Sequence, residues 1–350
     1  MEKRPQLTGK VVLDAMGSDH APHVEIDGAL AAARDLGVGV ILVGQTARVE
    51  PELRRCGWRG QGDRGIELVD APEAIGMNEQ VAVAIRRKKK SSMRIGAQLV
   101  SDGRADGFVS AGNTGAAMVT ARMVIGMLPD VDRPALAAQI PTKSGRPTLL
   151  IDVGANADCK PFHLVQFAIM GEVYARTVLG VAQPKVGLMS IGEEEIKGND
   201  LTKEAFALLR ELPRLNFVGN VEGRDVFTGT VDVIVTDGFT GNVMLKLSEG
   251  LSDAITSMIR RELSVSALTK AGAMLVRPAF RRLKKRLDYA EYGGVPLLGV
   301  RKIVVIAHGG SNARAIRNAI RNAKEFSEHN ADELIRHGVA EAVAHEHITV

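Results

Sequence analysis

The sequence predicts an α/β protein, a mostly parallel sheet covered by helices on both faces and built from two related halves. Two observations carry this. Short runs of β-branched and other apolar residues alternate along the 350 residues with stretches of helical period, as in parallel sheets joined by crossover helices. A strand–turn–helix unit also occurs twice. Asp106-Gly-Phe-Val-Ser-Ala-Gly-Asn-Thr-Gly-Ala-Ala-Met118 aligns without gaps on Asp232-Val-Ile-Val-Thr-Asp-Gly-Phe-Thr-Gly-Asn-Val-Met244. Asp106 meets Asp232, Ser110 meets Thr236, Gly112 meets Gly238, Thr114 meets Thr240 and Gly115 meets Gly241. In the second copy Val231, Val233, Ile234 and Val235 form a buried strand, and Val243, Met244, Leu245, Leu247 and Leu251 the inward face of a helix. The glycines allow a sharp turn and Thr240 or Asn242 is placed to cap the helix, whose N-terminus suits an anion.

In chain order, Val11–Leu13 is a strand that ends at Asp14-Ala-Met-Gly17-Ser18-Asp19, with a helix through Ile26–Asp35. Val38–Val43 is a strand. Its Gly37-x-Gly39 precedes the apolar run, whereas a dinucleotide fingerprint follows one. Cys56–Arg64 is a loop before the short strand Ile66–Val69, and Glu79–Lys90 a helix with the basic end Arg86-Arg87-Lys88-Lys89-Lys90. Phe108-Val109 enters the first repeat copy and Ala116–Met127 is its helix. Pro134–Ile140 and Thr148–Ile151 are strands, the second ending at Asp152-Val-Gly154-Ala-Asn156. Phe162–Leu179 is helical, Lys185–Ile191 a strand, Lys203–Leu212 a helix, and Phe217-Val218 a strand ending at Gly219-Asn220-Val-Glu222. Beyond the second copy lie a basic segment, Tyr292-Gly293-Gly294, the strand Lys302–Ala307 and a helix through Arg317–Phe326. The expectation is one domain, 1–350, with intertwined halves and a basic amphipathic surface segment at 255–290.

Composition narrows the function. At 45% hydrophobic and 25% charged residues the chain can bury a large core, and 4% aromatics is too few for stacking single-stranded nucleic acid. Cys56 and Cys159 make neither a disulfide framework nor a four-cysteine zinc site. Met1-Glu-Lys-Arg leads to the first strand without an apolar leader, and no run approaches the roughly 18 apolar residues of a membrane span. A cytoplasmic chain is expected. G-x-x-x-x-G-K-[ST], G-x-S-x-G and H-E-x-x-H are all missing. His20-x-x-His23 lacks further ligands, and His345-Glu-His347 reads as frayed surface, so no metal or cofactor is expected. Cys159 reads as a small buried hydrophobe sooner than as an acyl-accepting thiolate.

Seven strands end in small polar turns: D-A-M-G-S-D, S-A-G-N-T-G, D-V-G-A-N, S-I-G-E-E, G-N-V-E-G, T-D-G-F-T-G and H-G-G-S-N. Turning the chain does not require Asp, Asn, Ser and Glu beside nearly every glycine. Parallel strands place their carboxyl ends on one edge, where open α/β sheets bind ligands, so a small-molecule site is expected there.

These turns, with R-P-A-L, K-G-N, G-N-V-E-G-R-D and Y-G-G-x-P-L-L-G, resemble the bacterial acyl-ACP:phosphate acyltransferase family (PlsX) of fatty-acid and phospholipid synthesis, from about Val11 to Asn322. The resemblance implies a three-layer α/β/α sandwich like those of phosphotransacetylases and isopropylmalate dehydrogenases. It implies transfer of a fatty acyl group from acyl carrier protein to orthophosphate, without a cofactor. Phosphate would be the nucleophile, which fits the missing side-chain one; the enzyme would position it and stabilise the oxyanion. On this reading Gly112, Asn113, Thr114 and Gly115 in one turn, and Gly238, Thr240, Gly241 and Asn242 in the other, supply N–H donors. Lys160, Lys197, Arg224 and Lys246 are the candidate cations, Lys246 pointing back one turn beyond Asn242, with a solvated surface residue as the alternative for each lysine. One of Asp14, Asp152 and Asp237 orients a donor or moves a proton while the others cap helices, and His308 is either the acid for the leaving thiolate or a turn histidine bonded to a neighbour. Gly17, Ser18, Ser110, Asn156, Asn220 and Glu222 complete the lining.

The net charge of +4 is unevenly placed. Ile255–Leu287 holds nine basic residues against Glu262 alone, so the remainder is net acidic. Apolar residues recur there at helical spacing beside Arg277, Arg281, Arg282, Lys284, Lys285 and Arg286. Such a surface rests on anionic lipid or receives acidic acyl carrier protein; an ordinary solvated helix pair or a dimer contact is the plainer reading. A homodimer at the inner membrane face, in contact with the membrane glycerol-3-phosphate acyltransferase, is implied by the resemblance; nucleic acid is not. A phosphotransacetylase-like enzyme using acyl-CoA and a non-catalytic membrane-surface scaffold are the rivals. A metal-dependent dehydrogenase is disfavoured by the lack of an acidic cluster spaced i, i+4.

Overall fold

The computed structural model describes residues 9–287 and 289–346. The first half runs β1 (Lys10–Asp14), α1 (His23–Leu36), β2 (Gly39–Gly44), α2 (Thr46–Arg55), β3 (Ile66–Asp70), α3 (Val81–Arg87), α4 (Ser92–Ser101), β4 (Gly107–Ser110) and α5 (Thr114–Thr120), which continues as a π-turn over Ala121–Ile125. Then follow β5 (Ala135–Ile140), β6 (Thr148–Ile151), α6 (Pro161–Thr177), β7 (Val186–Met189), α7 (Asp200–Arg210), β8 (Phe217–Val221), β9 (Val233–Val235) and α8 (Gly238–Glu262). Last come α9 (Ala267–Leu287), α10 (Tyr289–Tyr292), β10 (Val295–Leu298), β11 (Ile303–Ile306), α11 (Ala313–Glu328) and α12 (Ala331–Glu346).

The sheet has 11 strands in the order β3-β2-β1-β4-β11-β10-β5-β6-β9-β7-β8. Alternation along each strand sends one residue set to each face. Val11 and Leu13 of β1 face a layer built on α1, α6, α11 and α12, through Ile26, Phe167, Ile316 and Ile335. Val12 faces the other layer, where α3, α4 and α5 contribute Ile85, Met93 and Ala116. The expected three layers are present. Each core cluster takes residues from both halves, so the halves share their cores.

One expectation about direction fails. Strands β3, β2, β1, β4 and β11 are mutually parallel, as are β6, β9, β7 and β8. Between them β10 is antiparallel to both β11 and β5, and β5 is antiparallel to β6. Three reversals leave the two groups running in opposite senses. The seven polar turns therefore do not share one edge. Those after β1, β4 and β11 lie at one edge of the ribbon, and those after β6, β7, β8 and β9 at the other. The sequence reading missed β10, because Pro296 within so short a run argues against a central strand, yet it pairs opposite Val305.

The repeat survives in altered form. α5 is capped by Asn113, whose Oδ1 accepts the Ala116 N–H at 3.0 Å. α8 is capped by Asp237, whose Oδ1 accepts the Thr240 N–H at 2.8 Å, so neither Thr240 nor Asn242 is its cap. A carboxylate accepts that bond more strongly than a hydroxyl. Gly238 and Gly241 are the only buried residues of α8; of its expected inward face Met244 and Leu245 pack on the core, whereas Val243, Leu247 and Leu251 are exposed. The described side chains of α9 from Leu268 to Arg282 are exposed, apart from Ala273.

Glycine at 241 is required by a close approach: a Cβ there would stand 1.9 Å from the Asp152 carbonyl oxygen. Gly241→Ala is expected to cost about 3 kcal/mol in urea unfolding, the upper range for overpacking, whereas Gly250→Ala, with nothing within 4 Å, should be neutral or stabilising.

Candidate active site

At the first edge the turns after β1, β4 and β11 touch. Asp14 is 1% exposed; its Oδ2 accepts the Ser110 hydroxyl at 2.8 Å and its Oδ1 the Met16 N–H at 3.1 Å. Burial pushes its carboxyl above the usual range, against the pull of the Ser92 and Ser110 hydroxyls and the Met16 amide. The backbones press together at Gly17, where a Cβ would lie 2.7 Å from the Gly112 nitrogen. The Gly112 N–H donates to Ser110 Oγ, and Asn113 Nδ2 to the Met77 carbonyl at 2.8 Å. Asp19 N–H donates to the Gly309 carbonyl, tying in the β11 turn. There His308 is exposed and its Nδ1 accepts the Gly310 N–H.

Glu25, in the first turn of α1, is the residue at this edge that the sequence reading missed. It is fully buried; Oε1 accepts the Ser18 N–H at 3.0 Å, and Oε2 has no partner among the described residues. Burial pushes its carboxyl up to about 7, with Ser18 pulling down and Asp14 adding a smaller upward push. Ser311, 1% exposed, also holds an Oγ without a partner among the described residues. A signal was available: Glu25 shares its helix face with Ala29 and Ala32, both buried, so it is an acid in an apolar stripe.

At the second edge Asp152 is fully buried and accepts five bonds. Oδ1 takes the Leu136, Gly154 and Ala155 amides, and Oδ2 takes the Asn156 amide and side-chain Nδ2. Burial still leaves its carboxyl raised. Asp237, Thr240, Cys159 and Asn199 line an open cleft of about 350 Å³. The Cys159 thiol is pushed by burial up to about 11, so it is protonated at neutral pH. Lys160 and Lys197 are exposed, and Asn242 lies on the surface against Gly154. Lys246 does not point back into the cleft but pairs with Glu249 at 2.9 Å. Arg224 is held by Glu193 and Glu222 at 2.7 and 3.1 Å. Asn220 donates to the Glu194 carbonyl, and its Oδ1 is buried without a partner among the described residues.

Two further residues here were not anticipated. His163 accepts the Lys160 N–H at Nδ1, so its Nε2 donates to Asp132 at 2.6 Å, and that bond holds the Asp132 carboxyl below its usual range. Arg133 Nε is buried without a partner among the described residues. The structure thus brings Asp14, Gly17, Ser18, Ser110, Gly112, Asn113 and His308 together. It places Asp152, Asn156, Lys160, Lys197, Asn220, Glu222, Asp237, Gly238, Thr240, Gly241, Asn242 and Lys246 on elements of the opposite edge. Arg277, Arg281 and Arg282 are exposed on α9, where Lys284, Lys285 and Arg286 also lie, their side chains outside the described ones.

Glu25 makes stability depend on pH. Its folded pKa of about 7 lies above the ordinary 4.5, so the folded state binds the extra proton between those values, and stability falls as pH rises through them. Glu25→Gln keeps the acceptor and removes the charge. The variant should match the wild type near pH 4.5 and exceed it by on the order of 3 kcal/mol above pH 7 in urea unfolding; a pH-independent difference would refute the assignment.

Residues 9–334 match the family described as fatty acid synthesis protein. A phosphate acyltransferase of Citrifermentans bemidjiense is 54% identical over 318 residues, 91% of this chain and 89% of that protein. A phosphotransacetylase from Streptococcus pyogenes superposes with a TM-score of 0.61 at 17% identity, over 94% of this chain and 96% of that one. A 4-hydroxythreonine-4-phosphate dehydrogenase from Klebsiella pneumoniae does so with a TM-score of 0.52 at 14% identity, over 97% and 99%. These two likenesses establish a shared fold. The family match and the close relative together show that the chain belongs to the fatty acid synthesis protein family of phosphate acyltransferases (PlsX).

Proposed function

We propose that this acyltransferase moves a fatty acyl group from the thioester of acyl carrier protein to orthophosphate, giving acyl phosphate for phospholipid synthesis. The observation that carries the reading is 54% identity, over 91% of the chain, to a protein named phosphate acyltransferase. The site supports direct attack. A phosphate oxygen forms a bond to the thioester carbonyl carbon, the C–S bond breaks, and the proton of hydrogen phosphate balances the departing thiol. No acyl-enzyme is needed, in keeping with a Cys159 thiol held at about 11.

The first edge is where this reading places the chemistry. The Met16, Ser18, Asp19 and Gly112 amides already have acceptors, so Gly17, Asn113, Thr114 and Gly115 are the donors assigned to phosphate and oxyanion. Asp14 and Ser110 fix the turns, and His308, exposed beside them, hands a proton to the leaving sulfur.

No described helix is long and apolar enough to cross a membrane. Contact with lipid is assigned to α9, whose Arg277, Arg281 and Arg282 stand exposed with Leu275 and Phe280, on a chain working in the cytoplasm at the membrane's inner face. Sedimentation with anionic vesicles tests it. Phe239, Val243, Leu247, Leu251, Ile255 and Ile259 form an exposed ridge at four-residue spacing along α8, suited to a second copy in a homodimer. Acyl phosphate then passes to the membrane glycerol-3-phosphate acyltransferase.

The full chain, given an acyl carrier protein thioester and phosphate, should form acyl phosphate, trapped by hydroxylamine as the hydroxamate. A product made from acyl-CoA alone would favour the phosphotransacetylase-like reading, and no product from either would remove the proposal.

A further inference from the structure

A second basic cluster, apart from α9, borders the first edge. Residues 86–94 contain six basic side chains and no acid. Lys88 is a structural member: it is half-buried, its Nζ donating to Glu79 at 2.5 Å and to the Ala74 carbonyl. Glu73 is occupied by the Lys90 backbone N–H. Arg86, Arg87, Lys89 and Lys90 are exposed, and among the described residues none of their side chains is in an ion pair. Four like charges on one corner repel one another, and no described residue bonds their side chains.

Their position is informative. The run leads into Ser91, which caps α4 by accepting the Arg94 N–H. The next two residues reach the site: the Ser92 hydroxyl bonds Asp14, and the Met93 methyl packs where a Gly112 Cβ would be, 2.4 Å away. Two residues therefore separate the cluster from the turns assigned to phosphate. Apolar surface accompanies it, with Val83 43% and Met123 63% exposed. Met123 also borders a small hollow over Ile75, Ile85 and Val124 that Lys88 and Arg94 rim.

We propose that this corner is the docking surface for the acidic protein that carries the acyl thioester. This rests on the reading of the donor given above. The charges are spread over the exposed end of α3 and the loop beyond it and do not converge on a buried point, so they match an extended acidic surface better than a small anion. Exposed lysines gain little from a single phosphate, whereas several facing carboxylates on a rigid partner raise the association rate and set its orientation. Val83 and Met123 supply the apolar contact that such a surface needs at its centre. Docking here sets the carrier beside the edge where Asp14, Ser110 and Gly112 meet.

The test uses the full chain with Arg86, Arg87, Lys89 and Lys90 changed to Glu, and a second variant with all four changed to Gln. Binding of holo acyl carrier protein is measured by calorimetry, and turnover with its acyl thioester and with acyl-pantetheine, an uncharged stem bearing the same thioester. The Glu variant is expected to lose carrier binding and to raise KM for the carrier thioester at least about tenfold, with kcat and the acyl-pantetheine kinetics unchanged. The Gln variant should fall between, and added salt should raise the wild-type KM towards it. Unchanged carrier binding in the Glu variant overturns the proposal, as does an equal loss with acyl-pantetheine. So does loss of anionic vesicle binding with carrier binding intact, which would assign the corner to lipid. Wild-type binding of carrier protein without acyl phosphate formation would refute the donor reading and leave the docking surface standing.

Discussion

A single buried carboxylate, that of Asp152, organises the second half of the molecule. It accepts four backbone amides and one side-chain amide across β5, β6 and the turn that follows. Burial of an ionised carboxylate is tolerable only with such satisfaction. Once the turn is fixed, its backbone becomes the floor on which α8 starts, and Gly238 and Gly241 are there because a Cβ would strike the Asp152 turn. Asp14 does the same in the first half with fewer donors, joining β1 to β4 through Ser110, and Gly17 meets Gly112 where the backbones cross. The repeat seen in the chain is thus a repeat of corners, each pinned by an acid after one strand and a glycine after the next.

This changes what the turns can do chemically. Residue types that look catalytic in sequence are mostly engaged in holding the fold: Asp152 with amides, Asp237 as a cap, Arg224 and Lys246 in surface ion pairs. Cys159 is kept as a thiol. An enzyme whose acids and thiol are occupied in this way is suited to a reaction in which a substrate brings its own nucleophile, with backbone N–H groups and orientation supplying the acceleration. Two oxygens without a partner among the described residues, on Glu25 and Ser311, sit at the first edge, beside the turns to which the chemistry is assigned.

Most of the layers were legible. Strands such as Val38–Val43 and Thr148–Ile151 announce themselves as apolar runs between glycines, and the structure has them within a residue or two. Direction was not legible. It turns on β10, four residues with Pro296 among them, and on β5 running back beside β6; no local pattern says whether a neighbour is parallel. The start of α8 was misplaced by a few residues because Asp237, Thr240 and Asn242 are all good caps, and only packing at Gly238 and Gly241 selects among them. α4 passed unread behind the basic run, although Ser91 is an ordinary N-cap. The motifs mark where strands end, but pairing across the sheet decides which turns meet.

The central claim is that phosphate itself attacks the thioester and no side chain carries the acyl group. It is tested most directly by incubating the full chain with an acyl carrier protein thioester and isotopically labelled free carrier protein, with phosphate left out. Direct attack predicts that no label enters the thioester until phosphate is added. Exchange in its absence requires an acyl-enzyme and would contradict the account.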